Sequence, residues 1–512
     1  RQEQGFLNER ENFFHKPQVN LNWFSSLTET LDLSTVAYYS GGRGGGTGTY
    51  GSLVWDYSGP SRVADWDATI ARNASEPGQV SRGILRNSRN NQWTLGAITK
   101  LQNQFTPELR VELGLDWRTA TIDHYREVRD LLGGTSFTNT SSDFWTTAEQ
   151  SRGLGDKIAY DNTNQVGWLG GHLQAEYSTS GFTFFGMGGV STISYTFTDH
   201  FTDDGTGNEL RLESGTITGM QIKGGGLYNV SDQVGVFLNA GYMSKVPIFD
   251  GVIDDNNGIL NPDPQNEKIL AFELGLNYMS LDRSIRLGLN AYYTQWNDRT
   301  RVRNILDNNG NDALISLLGL DALHSGIEAE ASFRLSNLLR LDFSAGLNDW
   351  RYTDDASGTF RPDARDAATV PYDFYVRDLK VGDAPQRQAS LAVSAFPVEG
   401  LFLQLVGRTY GRHFSAFDPF GRTDETDRAQ SWQVPGYSVL DGHFAYTLPQ
   451  SFRFAQRTRV FAHVYNILDE VYIIDATDNS RFNGFDGDHD ADDAEVHFGL
   501  QRRFNVGLQV NF

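Results

Sequence analysis

The stretch ELRVELGLDWR, residues 108–118, sets Leu109, Val111, Leu113, Leu115 and Trp117 at alternate positions, with Arg110, Glu112, Gly114, Asp116 and Arg118 between them. A period of two belongs to a β-strand, whose successive side chains point to opposite faces. The same alternation recurs in EKILAFELGLNY (267–278), in RSIRLGLNAYY (283–293) and in the terminal RFNVGLQVNF (503–512), while helical periodicity is nearly absent. Soluble sheets alternate too, so strand length decides. These segments run roughly 12 to 18 residues, against about 5 to 6 in globular sheets and about 9 to 11 for a tilted membrane-crossing strand. The connections fall into two kinds. Tight ones occur near 27, 106–107, 179, 231, 281–282, 337, 397–399 and 449–451, and long polar ones span 41–90, 123–162, 199–213, 246–266, 297–321, 353–384, 415–434 and 475–492. Alternating short turns and long loops predict an all-β fold, a transmembrane antiparallel β-barrel with long extracellular loops and short periplasmic turns in a bacterial outer membrane.

Composition agrees. The 512 residues include 53 Gly and 12% aromatics, no Cys, and a net charge of -21. The charge excludes a general nucleic-acid binder, which needs a basic face. Absence of Cys excludes disulfide frameworks, thiolate metal sites and Cys nucleophiles. A mean hydropathy of -0.43 and no apolar run near about 20 residues exclude spanning helices. Tyr38, Tyr39, Trp117, Tyr293 and Trp296 near the long loops, and Trp23, Tyr278 and Tyr446 near the turns, read as two interfacial girdles. The connections divide the chain into roughly 17 strands, an odd number where single-chain bacterial barrels have even ones. The expectation is that these are the last strands of a 22-stranded barrel, the class with a plugged lumen.

Five segments resemble the barrel of TonB-dependent receptors of Bacteroidota-like bacteria: YNVSDQVGVFLNAGYMSKVP (228–247), NPDPQNEKILAFELGLNY (261–278), LHSGIEAEASF (323–333), VFAHVYNILDEVYI (460–473) and VHFGLQRRFNVGLQVNF (496–512). They lie in the expected order. The resemblance implies that residues 1–512 are one barrel domain, the C-terminal portion of a receptor, with the plug, the first strands and the TonB box lying upstream. It further implies uptake of a scarce solute (a metal chelate, cobalamin, glycan or peptide) coupled through the TonB complex. The implied partners are outer-membrane lipid, TonB, the barrel assembly machinery and a surface lipoprotein. Rival readings are a passive porin and a docking barrel in a larger envelope assembly.

Several residues are candidates for roles. Lumen-facing polar groups are Arg110, Glu112, Asp116, Arg118, Glu273 and Arg286, opposite the apolar positions of their strands. The glycine run GGRGGGTGTYG (41–51) lacks the GK[ST] ending of a phosphate cradle and reads as a flexible external loop. In and beyond it, Arg43, Trp55, Tyr57, Arg62 and Trp66 offer stacking and charge to a ligand. Val506, Leu508, Val510 and Phe512 resemble the terminal-strand signal for barrel assembly. Asp486, Asp488, Asp490, Asp492 and Asp493 are spaced for a hard cation such as structural Ca²⁺, although Ala491 and His497 occupy the places of the EF-hand Gly and Glu. The alternative is a solvated acidic loop. No other cofactor is expected. NDALISLLGLDAL (311–323) reads as a short amphipathic helix, and the histidines are scattered without ligand-like pairing. No G-x-S-x-G or HExxH motif appears, so the chain does not read as an enzyme.

Overall fold

The computed structural model describes residues 9–59, 61–255, 258–261, 263–306, 312–361, 370–382, 384–449, 457–478 and 488–511. The principal antiparallel sheet contains nineteen strand runs among them. Two pairs of runs are single strands with a break. Asn12–His15 and Gln18–Ser26 both pair with Leu31–Gly51, interrupted at Pro17, which has no N–H to donate. Glu209–Glu213 and Ile217–Asn229 both pair with Phe182–Asp203, interrupted where Gly215 adopts φ 67°. The nineteen runs thus make the seventeen strands expected from the sequence.

The contacts divide the chain into two compact units. One comprises Arg1–Leu173, Gly189–Met220 and Val246–Pro264; the other comprises Gln174–Gly188, Gln221–Lys245 and Gln265–Phe512. In the first, Leu31–Gly51, Gly83–Gln104 and Leu109–Asp130 form continuous ladders. In the second, antiparallel ladders join Val234–Lys245, Glu267–Met279, Ile285–Asn297, Ala322–Arg334 and Leu339–Tyr352 in turn. The turns fall where the sequence places them, closed by Leu27 N–H to Leu31 O at 2.8 Å, Phe105 to Leu109 at 2.9 Å, Thr179 to Phe182 at 2.7 Å and Leu335 to Leu339 at 3.0 Å. The expected turn at 449–451 lies mostly outside the described residues.

Each strand has two unlike faces. Leu113, Leu115 and Trp117 are exposed on one side, as are Leu274, Leu276, Leu287, Leu289 and Tyr293 in the second unit. Contiguous apolar exposure on this scale is unfavourable in water and suits hydrocarbon. Their alternate neighbours carry the polar contacts. No helix of the described residues is long and apolar enough to cross a membrane.

Three expectations are corrected. Residues 41–51 are not a loop: they continue the strand Leu31–Gly51, paired from Gly41↔Trp93 to Gly51↔Gly83. Glycine is required because neighbouring backbone lies where side chains would stand. A Cβ on Gly44 would come within 2.7 Å of the Phe13 carbonyl oxygen, and one on Gly45 would overlap the Ser88 carbonyl oxygen. Gly45→Val is therefore expected to cost about 1–3 kcal/mol by overpacking, read as a lowered guanidinium midpoint of the folded chain in detergent. Gly186→Ala, where a Cβ meets nothing within 4 Å, is the silent control. The loops read at 123–162 and 199–213 also begin later than expected, because Leu109–Asp130 and Phe182–Asp203 each extend to 22 residues. Finally, 311–323 is not helical. Asp312–Leu318 is a strand between Arg301–Leu306 and Ala356–Arg361, and Leu317 is buried with Leu320, Tyr352, Phe374 and Phe417. Sheet pairing and that core override the local helical pattern.

Outside the long ladders, a helix over Trp66–Ser75 appears that periodicity did not signal. Asp65 caps it, its Oδ1 accepting from the Ala68 N–H at 2.9 Å. It stops before Pro77, where Glu76 is extended. Buried Asn73 ties the helix down through Nδ2, which donates to the carbonyls of Gly83 at 2.9 Å and Leu132 at 3.0 Å.

Candidate functional site

The aromatic and basic candidates of the first unit are partly brought together. Trp55–Asp56 pairs with Val63–Ala64, which folds the Arg62 guanidinium over the Trp55 ring at 4.3 Å. Trp55, Ala64 and Trp66 pack against the cluster of Leu53, Leu85 and Leu132. Tyr57 stands at the hairpin tip, 69% exposed. Arg43 lies elsewhere, in the long strand opposite His15 and Asn91. Trp66 is thus largely committed to packing, while Tyr57 and Arg62 remain on the surface.

The polar strand faces hold the other candidates. Glu112 accepts from Lys100 at 3.2 Å and contacts His172 Nε2 at 3.1 Å. Asp116 accepts from Trp168 Nε1 at 3.1 Å, and the Arg118 guanidinium lies 5.6 Å from the same indole. In the second unit Glu273 accepts from Asn239 Nδ2 at 3.0 Å. Arg286 lines a recess with Asp342 and Ser332. Arg110 shares a parity with Glu112 and Asp116 on its strand.

One array was not foreseen. Trp296 belongs to no outward girdle: it shares the parity of Arg286 and Tyr292, and its Nε1 donates to Glu267 at 3.2 Å. Beside it on the next strands are His324, with ring centres 6.5 Å apart, and Trp350, 5.8 Å from His324. Trp350 Nε1 donates to the Tyr292 hydroxyl at 2.7 Å, which donates to Asn348 Oδ1 at 2.9 Å. Arg299 stacks on Trp296 at 4.6 Å. On the same sheet, an open recess of about 310 Å³ is lined by Glu328, Glu330, Ser344, Gln388, Ser390 and Arg408. The alternation that put Arg286 on this face also put Tyr292 and Trp296 there, so parity is the signal that would have found the array.

The loop segments of the second unit are joined by a buried ionic network that the sequence did not reveal, its members lying up to 67 residues apart. Arg422 is 1% exposed; its Nη2 donates to Asp478 Oδ2 at 2.9 Å and lies 2.9 Å from His489 Nδ1. His489 also contacts Asp478 Oδ2 through Nδ1 at 2.7 Å and Asp427 Oδ2 through Nε2 at 2.8 Å. Burial pulls the Arg422 pKa down, while Asp478 and Asp427 push it back up. Nor are the histidines all isolated, since His443 and His463 face each other across neighbouring strands with Nδ1 atoms 2.9 Å apart.

Of the remaining candidates, Val506 and Leu508 are exposed on the terminal strand Arg503–Asn511 and Val510 is half-buried, whereas Phe512 lies outside the described residues. Asp488, Asp490, Asp492 and Asp493 bring carboxylate oxygens within 4.8 Å of one another. Asp486 lies outside the described residues.

The family model described as TonB dependent receptor-like, beta-barrel, matches residues 3–467. Among solved structures, the chain is similar to the ferric citrate transporter FecA in its unliganded form, at 13% identity and TM-score 0.61, covering 98% of this chain and 61% of that one. It is similar to the copper transporter OprC at 13% identity and TM-score 0.62, covering 98% and 66%. The siderophore receptor PiuA from Acinetobacter baumannii matches at 12% identity and TM-score 0.58, covering 98% and 64%. At these identities the likeness is one of fold, and the chain spans about three fifths of the length of the structures it matches. No curated protein matches the sequence. The family is one of receptors and transporters rather than enzymes, which agrees with the absence of a catalytic motif. With two-faced strands, short turns that alternate with long connections along the chain, and a family match over most of its length, the chain belongs to the TonB-dependent receptors of the bacterial outer membrane, in their β-barrel domain.

Proposed function

We propose that this barrel serves the uptake of a metal chelate, with energy delivered through TonB. The observation that carries the reading is the polar strand face of the second unit. It is neither packed as a core nor apolar, and it presents Trp296, His324, Trp350 and Tyr292 above a recess lined by Glu328, Glu330 and Arg408. Aromatic faces with nearby cations suit a planar or anionic chelate, by stacking and charge. The transporters of similar fold act on ferric citrate and copper, and a further one is a siderophore receptor. On the loop side, Tyr57 and Arg62 offer a first contact.

The test is uptake of radiolabelled ferric citrate, a ferric catecholate and a copper salt by cells carrying the protein as its only outer-membrane receptor. Accumulation of one probe, abolished by an uncoupler and lowered at least tenfold by Trp350→Ala, is expected. Uncoupler-insensitive entry together with steady ion conductance in a planar bilayer would instead establish a passive porin. Failure of all three probes would overturn the metal-chelate reading.

A further inference from the structure

Asp493 is a buried carboxylate with nothing to bond. It is 1% exposed, and neither of its oxygens has a hydrogen-bond partner. Native structures rarely bury an unpaired carboxylate, because desolvation of the charge is uncompensated. Three more carboxylates, Asp488, Asp490 and Asp492, direct an oxygen to the same point, all four lying within 4.8 Å of one another. Two oxygens on one Ca²⁺, each at about 2.3–2.6 Å, stand no more than about 5 Å apart, so the separation is that of a shared coordination sphere.

Backbone conformation produces this convergence. His489 has φ 58°, in the left-handed region, and its ring is drawn away into the buried contacts with Asp478, Asp427 and Arg422. That turn leaves Asp488 and Asp490 on the surface on either side of a fixed point. The chain then doubles back, with the Asp492 N–H donating to Asp490 Oδ1 at 2.9 Å, and this brings Asp493 inward. The buried Arg422 is already engaged by Asp478 and Asp427.

We infer that Asp488, Asp490, Asp492 and Asp493 form a Ca²⁺ site that fixes the segment 488–493. Oxygen-only donors select a hard cation. Three ligands on the surface and one inside give a site open to water, which suits the larger, adaptable sphere of Ca²⁺ better than the strict octahedron of Mg²⁺. Through His489 the ion would hold this segment against residues 422–427, independently of which solute the barrel carries.

The experiment is calorimetric titration of the detergent-solubilised full chain, stripped with a chelator, with CaCl₂. One saturable site is expected, with affinity reduced at least tenfold in Asp493→Asn and in the surface double variant Asp490→Asn/Asp492→Asn, and unchanged in Asp424→Asn. Mg²⁺ is expected to bind at least tenfold more weakly. The double variant keeps the test valid if burial at position 493 makes Asn unfoldable there. No saturable heat up to millimolar CaCl₂, or equal affinity in wild type and the double variant, overturns the site.

Discussion

Replacing Arg422 by Ala is expected to loosen the loop segments 415–434 and 473–478 by about 3–5 kcal/mol, the cost of leaving buried charge without its partner. Asp478, 1% exposed, would keep His489 Nδ1 and the Trp432 N–H but lose its guanidinium, and Asp427 would lose the guanidinium at 3.4 Å. The Ser431 hydroxyl and the Ala429 carbonyl also lose a donor, at 3.5 and 2.8 Å. Hydrogen exchange should show the change as rapid labelling confined to these segments, with the transmembrane ladders unaffected. Arg422→Lys should rescue only in part, since one ammonium cannot span the arc from Ala429 to Asp478 that the guanidinium covers. Arg428→Ala provides the contrast. Arg428 meets Asp355 at 2.7 and 3.1 Å on the surface, where such a pair contributes about 0–1 kcal/mol. Equal exchange in the Arg422 and Arg428 variants would refute the network's role.

The second large effect concerns the outward face. Leu113 is 47% exposed and lies a few residues above the tight turn at Phe105–Leu109. In hydrocarbon, Leu113→Arg is expected to destabilise the folded barrel by about 2–4 kcal/mol, the range for a cation near the bilayer midplane. The same change at Leu27, 51% exposed but in a turn, should cost about 0–1 kcal/mol. Reversible unfolding in phospholipid vesicles measures both. An equal cost at the two positions would show that exposure alone, rather than depth, governs them.

Much of this architecture is written as parity. Leu113, Leu115 and Trp117 against Glu112, Asp116 and Arg118 is legible because a strand with hydrocarbon on one side and polar surroundings on the other cannot use the same residue types on both. Parity also bore on Trp296: its even position beside Tyr292 placed it inward, whereas its nearness to a loop suggested a girdle. What failed were readings from composition alone. Gly41–Gly51 looked like a loop because glycine is common in loops, yet here glycine admits the Phe13 and Ser88 backbones. The Arg422, Asp478, His489 and Asp427 network could not be read at all. Its partners meet only after separate loops return to one place, and no local pattern records that meeting.

In the first unit, Gly83–Gln104 and Leu109–Asp130 are each 22 residues long. At about 3.3 Å per residue that is roughly 70 Å of chain, against about 30 Å of hydrocarbon, so even a steeply tilted strand leaves a long paired overhang outside the membrane. The paired ends near Gly83 and Asp130, opposite the tight turn at Phe105–Leu109, are held by ladder hydrogen bonds that far out and behave as a lever with a stiff arm. Substitutions at its tip can change what is recognised while the pairing register near the lipid stays fixed, and a force applied at the tip is transmitted down the strand rather than absorbed by a slack loop.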